Sequence, residues 1–172
     1  LIDEYPEIEA YTRFTYAQNQ MEVSVEEKDY VLSGVHYADS GFFKIFDYPL
    51  IHGSRENLLQ LPRECVISKK TARYLFDKLD VVGHTFTANN QLYTVKGVFD
   101  NDGYKSHIKP EVLISSSTIP KARRDQMNSD WTYMVNYTYL KFASAESLPQ
   151  VKDKFQLWYD KYIQPWIDQH EL

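Results

Sequence analysis

Chemistry needs reactive side chains in company, and in this sequence they stand apart. The five histidines are His36, His52, His84, His107 and His170. No two have the spacing that sets a pair of metal ligands on one helix face or turn, so each reads as an isolated surface or turn histidine. Asp100-Asn101-Asp102-Gly103 opens like a calcium loop, but no acidic residue closes it where the twelve-residue loop needs one. It reads as the exit turn of a hairpin. A serine nucleophile wants a strained Gly-x-Ser-x-Gly elbow, and Gly53-Ser54 lacks the second glycine. Cys65, the only cysteine, is followed by Val66 and Ile67 and is expected as a buried thiol on a strand, without the basic, exposed setting of a nucleophile. The six glycines are scattered and build no phosphate cradle. No catalytic, cofactor-binding or metal-binding residue is nominated, and the chain is expected not to be an enzyme.

The charge pattern excludes another class. Lys and Arg number 19 against 24 Asp and Glu, a net charge of -5, with both signs mixed along the chain. Nucleic acid is not expected as a partner, because phosphate neutralisation needs a clustered basic face. The densest basic run, Lys121, Arg123 and Arg124, is followed at once by Asp125 and reads as a solvated face. With 14 Tyr, 9 Phe and 3 Trp, aromatic residues are abundant enough for a ligand groove or a partner surface. A β-rich core edged by tyrosines explains most of them. Trp158, Tyr159, Tyr162 and Trp166 are set apart, because they crowd one end of the last expected helix, where a partner or a continuation would attach.

The elements that would carry these residues can be read in order. At 172 residues, 43% of them apolar, one domain with a core that needs no disulfide is expected. No run of apolar residues is long enough to span a bilayer. The opening Leu1-Ile2-Asp3-Glu4-Tyr5-Pro6 reads like the inside of a longer sequence, so any membrane anchor is expected outside it. Ile8, Ala10, Thr12, Phe14 and Tyr16 share one parity and predict a strand, with a turn after it. Met21, Val23 and Val25 then alternate with Glu22, Ser24 and Glu26, and residues 30–37 resume a strand-like run, a hairpin pattern. Asp39-Ser40-Gly41 offers an N-cap to a short helix through Phe42, Phe43, Ile45 and Phe46 that Pro49 must end.

Residues 52–62 read as a loop with a helical turn at 57–60, and residues 64–67 as a short strand. Ser68 should cap a helix with the apolar face Ala72, Leu75, Phe76 and Leu79. After Gly83, strands 84–88 and 92–100 should join through Asn89-Asn90, because Asn tolerates the left-handed backbone of a tight hairpin. Residues 111–115 predict a buried strand, and 133–142 a strand covered on both faces. Ser147-Leu148-Pro149-Gln150 has the form of a capping box. It opens a helix with Leu148, Val151, Phe155, Trp158, Tyr159 and Tyr162 at helical spacing, up to Pro165. Irregularly interleaved strands and helices indicate an α+β fold.

Three ordered blocks carry a family resemblance. Residues 37–54, Tyr37-Ala38-Asp39-Ser40-Gly41-Phe42-Phe43-Lys44-Ile45-Phe46-Asp47-Tyr48-Pro49-Leu50-Ile51-His52-Gly53-Ser54, are similar to the Phe-rich segment of the MacB-like periplasmic core domain of FtsX-type ABC transporter permeases. Val66-Ile67-Ser68-Lys69-Lys70-Thr71-Ala72-Arg73-Tyr74-Leu75-Phe76 with Asp80-Val81-Val82-Gly83, and then Tyr93-Thr94-Val95-Lys96-Gly97-Val98-Phe99, resemble the two blocks that follow it in that family. Pro6 to Arg13 and Ser106 to Lys109 resemble its flanking segments, so the likeness covers most of residues 5–115. Asp77 departs from it, standing where the family usually has Gly.

The resemblance implies a porter-like α/β lobe, residues 1–16 and 106–172, interrupted by a small β-rich α/β lobe with one main helix, residues 17–105. It implies a non-catalytic domain on the periplasmic face of the bacterial inner membrane, coupling ATP hydrolysis elsewhere to efflux, lipoprotein release or control of a partner. The implied partners are the permease's own transmembrane helices, an ABC ATPase subunit or domain, a periplasmic or outer-membrane protein, and a second copy in the full transporter. Phe42, Phe43, Phe46, Leu75 and Phe76 are expected in the core. The alternative reading is a stand-alone periplasmic or surface ligand-binding module with an aromatic groove and chain ends far apart.

Overall fold

The computed structural model describes residues 4–132 and 136–170. The alternating run that opens the sequence forms a single strand, β1 (Ile8–Val25), without the turn expected after Tyr16. Its register against β2 (Lys28–Ala38) shifts instead between Tyr16 and Gln18. The apolar parity explains the difference. Ile8, Ala10, Thr12 and Phe14 are buried on even positions, and Met21, Val23 and Val25 on odd ones. A bulge inserts one residue and so switches the buried face while the strand continues.

β1 and β2 are joined by Glu26 and Glu27, at φ 47° and 67°. A second hairpin, β5 (Thr85–Ala88) to β6 (Gln91–Phe99), turns on Asn89 and Asn90 at φ 49° and 58° as expected. Asn accepts this backbone more readily than Glu. The double substitution Glu26→Asn/Glu27→Gly is therefore expected to stabilise the fold by about 1 kcal/mol, allowing for the extra entropy of Gly in the unfolded chain. Thermal unfolding should shift upward by about 2–4 °C; an unchanged or lower midpoint would contradict the turn geometry.

Strand pairings close into a ring. β2 runs parallel to β7 (Val112–Ser115), β7 antiparallel to β4 (Glu64–Ser68), β4 parallel to β6, and β6 antiparallel to β5. β5 returns to β1 at Ser24 opposite Thr87. One apolar cluster takes a side chain from each of these six strands: Met21, Val35, Val112, Ile67, Val95 and Phe86. Two strands lie outside the ring. β3 (Leu50–Gly53) pairs with β6, and β8 (Asn136–Phe142) pairs with the first half of β1.

The fold is mixed α/β, as the sequence indicates, and the helices lie against this sheet. α1 (Phe42–Ile45) is a single turn whose phenylalanines enter a second core with Phe14, Tyr48, Phe99 and Leu113. Its N-cap is Gly41, without a side-chain cap, because the Asp39 carboxylate is held elsewhere. α2 (Lys69–Phe76) is capped by Ser68, whose Oγ accepts from the Thr71 amide at 3.1 Å. It stops at Phe76, so Leu79 lies beyond the helix. Asp77 closes it at φ 56°, the left-handed conformation that a glycine there would take, so the departure from the family pattern leaves this helix exit in the same form.

Other expectations need correction. The helical turn expected at 57–60 is a 3-10 turn at Arg55–Asn57. Strand β8 is not covered on both faces along its length. Leu140 and Phe142 pack toward the last helix and Tyr139 meets Phe46 at 5.0 Å, but Tyr137 is 69% exposed; residues 133–135 of that expected strand lie outside the described ones. α3 (Lys121–Ser129) buries none of its side chains. α4 (Ser147–Trp158) starts one residue too early for a capping box: Glu146 is its N-cap, and the Ser147 amide already bonds Ser144 O at 3.3 Å. Pro165 does not end the helix. A π-helical turn, Tyr159–Ile163, precedes it and places it in the first turn of α5 (Gln164–Gln169), where its missing amide is not needed.

Candidate functional site

The family-like segments are brought together by a polar node. The Arg13 Nε donates to Asp39 Oδ2 at 2.9 Å, and the Arg13 amide donates to the same oxygen at 3.0 Å. Ser116 Oγ also donates to Asp39, and Arg13 reaches Asn128 of α3 at 2.6 Å. The hydrogen bond that Arg13 donates to Asp39, more than any other influence, holds the guanidinium pKa above its ordinary value. The node joins β1, the loop before α1 and α3. It positions elements and offers no group for a reaction.

A second node does the same at α2. Ser68 Oγ donates to Glu111 Oε2, and Asn101 donates to the Pro110 carbonyl at 3.1 Å. Lys69 Nζ lies 2.9 Å from Asp100 and 2.7 Å from Asp102, while the Asp102 amide donates to Asp100 at 2.9 Å. The calcium-like loop is thus a turn whose carboxylates already have a cation. The Asp100 carboxyl is held below its usual range, first by Lys69.

The structure keeps the histidines apart. His36 stacks on Phe14 at 4.3 Å, and burial lowers its pKa. His52 is 3.9 Å from Asp80, His84 meets the edge of Phe76 at 5.5 Å, His107 Nε2 is 2.8 Å from the Tyr139 hydroxyl, and His170 stacks on Trp166 at 4.2 Å. Among the described residues, no three His, Cys, Asp or Glu side chains are grouped to hold a metal ion. Cys65 is buried on β4, where burial pushes the thiol pKa well up and the Glu64 charge adds to it, so thiolate chemistry is suppressed.

What remains is surface. At one pole Glu4 accepts from the Tyr162 hydroxyl at 2.7 Å and pairs with Lys161 at 2.5 Å, and Glu7 pairs with Lys154 at 2.5 Å. Tyr5, Ile8 and Val151 form a small core there. Of the expected aromatic crowd, Trp158 and Tyr162 meet at 5.9 Å, while Trp166 stacks on His170; Trp158 also meets Trp131 edge-on at 5.3 Å and Phe155 at 5.4 Å. Phe155 and Leu157 remain 52% and 69% exposed.

Both carboxyls are held below their usual range, Glu4 chiefly by the Lys161 hydrogen bond and Glu7 chiefly by that of Lys154. A carboxylate depressed in the folded state stabilises above the pKa of the unfolded chain, and that contribution is lost as pH falls through the folded value. The α4–α5 segment should therefore loosen below about pH 4. Fluorescence of Trp158 and Trp131 should shift before global unfolding, and Glu4→Gln/Glu7→Gln should remove the transition. An emission spectrum unchanged from pH 7 to the onset of unfolding would contradict it.

One recess was not visible in the sequence. It lies between the β1 bulge and α3, has a volume of about 330 Å3, and is lined by Tyr16, Ala17, Tyr37, Ile119, Arg123 and Met127 among others. The only trace it leaves in the sequence is the parity switch between Tyr16 and Met21.

Comparison with known proteins decides the family. The model of the MacB-like periplasmic core domain matches residues 1–157. The chain belongs to that family. The match runs well past residue 115, where the recognisable blocks end. Three solved structures share the fold. A domain of a permease protein from Porphyromonas gingivalis is 22% identical, with a TM-score of 0.76 over 94% of this chain and 68% of its own. The periplasmic region of MacB from Actinobacillus actinomycetemcomitans is 15% identical, with a TM-score of 0.64 over 94% and 71%. The extracellular domain of the noncanonic ABC-type transporter YknZ from Gram-positive bacteria is 18% identical, with a TM-score of 0.55 over 87% and 73%. No curated protein matches the sequence.

Proposed function

We propose that this MacB-like periplasmic core domain is the extracytoplasmic part of an ABC transporter permease, that it performs no catalysis, and that it passes motion driven by cytoplasmic ATP hydrolysis to the periplasm. The observation that carries this reading is the family match over residues 1–157. Likeness to a permease domain, a MacB periplasmic region and a transporter's extracellular domain supports it. So does the pairing of Glu4 with Lys161 and Tyr162, because a domain inserted between two membrane helices needs its two ends side by side. The alternative of a stand-alone binding module called for an aromatic-lined pocket together with distant ends; Tyr16 and Tyr37 do line a recess, but the pairing of Glu4 with Lys161 speaks against the second requirement.

Residues 1–16 and 106–172 are taken as the porter-like lobe and 17–105 as the insertion. Support comes from the cluster of Tyr5, Ile8 and Val151, drawn from the two outer segments alone. Phe14, Ile108, Val112, Leu113 and Ile114 of the outer segments are exceptions, since they join the two larger cores together with residues of 17–105. The effect on the periplasm is efflux, lipoprotein release or control of a partner, and coupling requires two arrangements with different contacts.

Placement is tested by labelling. With Leu157→Cys in the parent protein of intact cells, a membrane-impermeant maleimide should react at that site, while buried Cys65 stays silent. Protection of the new cysteine until the cells are lysed would overturn the placement. Coupling is tested by Glu4→Gln/Glu7→Gln in the reconstituted transporter, which should keep basal ATP turnover and lose ATP-driven transport; unchanged transport would count against transmission through this pole.

A further inference from the structure

We propose that the open edge of β2, residues 29–33, binds an extended peptide segment of a partner protein by strand addition, in the groove between that edge and α2. The proposal does not depend on the transporter reading. Three observations carry it.

The first is unpaired backbone. β1 and β2 are joined by the two-residue turn Glu26-Glu27, and Val25 faces Lys28 across it. In such a hairpin the pair flanking the turn exchanges both hydrogen bonds, and bonded pairs recur at every second residue. The N–H and C=O groups of Lys28, Tyr30 and Leu32 therefore point to β1, and those of Asp29, Val31 and Ser33 point away from it. The other neighbour of β2, strand β7, pairs with it only from Val35 onward. Among the described residues, no backbone bond reaches positions 29–33 from that side. An edge of this kind is a template for a further strand.

The second is a groove along the edge. Asp29, Tyr30 and Val31 help to line a hollow of about 660 Å3, and Val31, Leu32 and Ser33 one of about 220 Å3. Successive side chains of a strand point to opposite faces, so a hollow that touches three in a row lies at the edge and not over one face. Tyr74 of α2 lines both hollows. It is 53% exposed and meets Tyr30 edge-on at 5.2 Å. An open strand edge with pockets for side chains beside it is the setting in which added strands bind.

The third is charge, which sets the direction. Glu22 and Asp29 line the larger hollow and Lys70 the smaller, and all three are exposed. Glu111, which also lines the smaller, already accepts from Ser68. A segment running antiparallel to β2 brings its first residue to Ser33 and its last to Asp29. An acidic residue first, a β-branched apolar residue opposite Val31 and a basic residue last complement this groove.

The probe is the peptide acetyl-Glu-Thr-Val-Thr-Lys-amide, titrated into this chain by calorimetry. It should saturate one site with a Kd of roughly 100 micromolar. N-methylation of its valine, which removes the N–H aimed at the Val31 carbonyl, should weaken binding at least about tenfold. N-methylation of the threonine after it, whose N–H points away from β2, should change the affinity by less than about threefold. Exchanging the glutamate and the lysine should weaken binding about fivefold. Val31→Pro removes an edge donor that makes no bond to β1 and should abolish saturable binding. Tyr74→Ala, on an exposed side chain, should weaken binding about fivefold and is the second variant should Val31→Pro fail to fold. Equal effects of the two N-methylations would overturn the proposal, as would an affinity unchanged in both variants or the absence of a saturable site in the parent chain. A dimer of the free chain in sedimentation that Val31→Pro dissociates would give the edge to a second copy, and would overturn it too.

Discussion

Phe42→Ala should lower stability by about 3–5 kcal/mol, the range for deleting a fully buried aromatic side chain when its surroundings relax only in part. Phe42 has no exposed surface. Its ring lies 5.3 Å from that of Phe43, 4.8 Å from Phe46, 5.8 Å from Phe14 and 6.1 Å from Tyr48. These neighbours come from β1, from α1 and from the loop before β3, so the cavity has fixed walls on several sides. At this chain length the midpoint of thermal unfolding should fall by about 10 °C or more. Phe46→Ala makes the comparison, because Phe46 is only partly buried at the edge of the same cluster and should cost about half as much. Urea unfolding of the two variants checks both values. Equal costs, or a loss under about 1 kcal/mol for Phe42→Ala, would show that this motif is not the anchor of the second core. The consequence is direct: the Phe-rich segment that most clearly marks the family does so by packing, with Phe42 and Phe43 buried in the second core.

Local features were legible because local physics decides them. Ser68 caps α2 as its side chain and position require, and Asn89-Asn90 makes the left-handed turn its residues favour. The parity of Met21, Val23 and Val25 marks their buried face correctly. Features that depend on distant pairing were not legible. Closure of the ring rests on Ser24 meeting Thr87 and on β2 lying parallel to β7, and alternation within a strand does not say which strand lies beside it. A change of parity between residues 16 and 21 is what a turn would produce, but a bulge makes the same change for the loss of less pairing.

Pro165 misled in the same way. It is unfavourable in a regular helix interior, and the π-helical turn that accommodates it has no signature in the side chains. The candidate surfaces were legible only in part. Crowding of Trp158, Tyr162 and Trp166 was visible, whereas the partners that fix the pole, Glu4 with Lys161 and Glu7 with Lys154, are separated by almost the whole chain. The recess with Arg123 on its rim needs three segments in register, and no single window contains them.

Gly41→Ala is the second large effect, and here two principles disagree. Gly41 has φ -74° and ψ -8°, a conformation alanine adopts freely. Where space allows, replacing Gly by Ala stabilises by about 0.4–1 kcal/mol by restricting the unfolded chain. Space does not allow it. A Cβ at Gly41 would lie 2.0 Å from the carbonyl oxygen of Tyr11 on β1. Neither partner is the flexible end of a side chain, so α1 and β1 would have to separate. Overpacking of this kind costs about 1–3 kcal/mol and occasionally more, and the Arg13–Asp39 bonds beside it would stretch as the two elements part. The net expectation is a loss of at least about 2 kcal/mol. Gly83→Ala separates the two causes. Gly83 has φ +86° and nothing within 4 Å of its would-be Cβ, so that variant meets backbone strain without a clash and should cost about 1–2 kcal/mol. If backbone angle alone governed, Gly83→Ala would be the worse of the pair. Urea unfolding should rank Gly41→Ala as the more damaging, because the close approach of the loop before α1 to β1 leaves no room for even one methyl group.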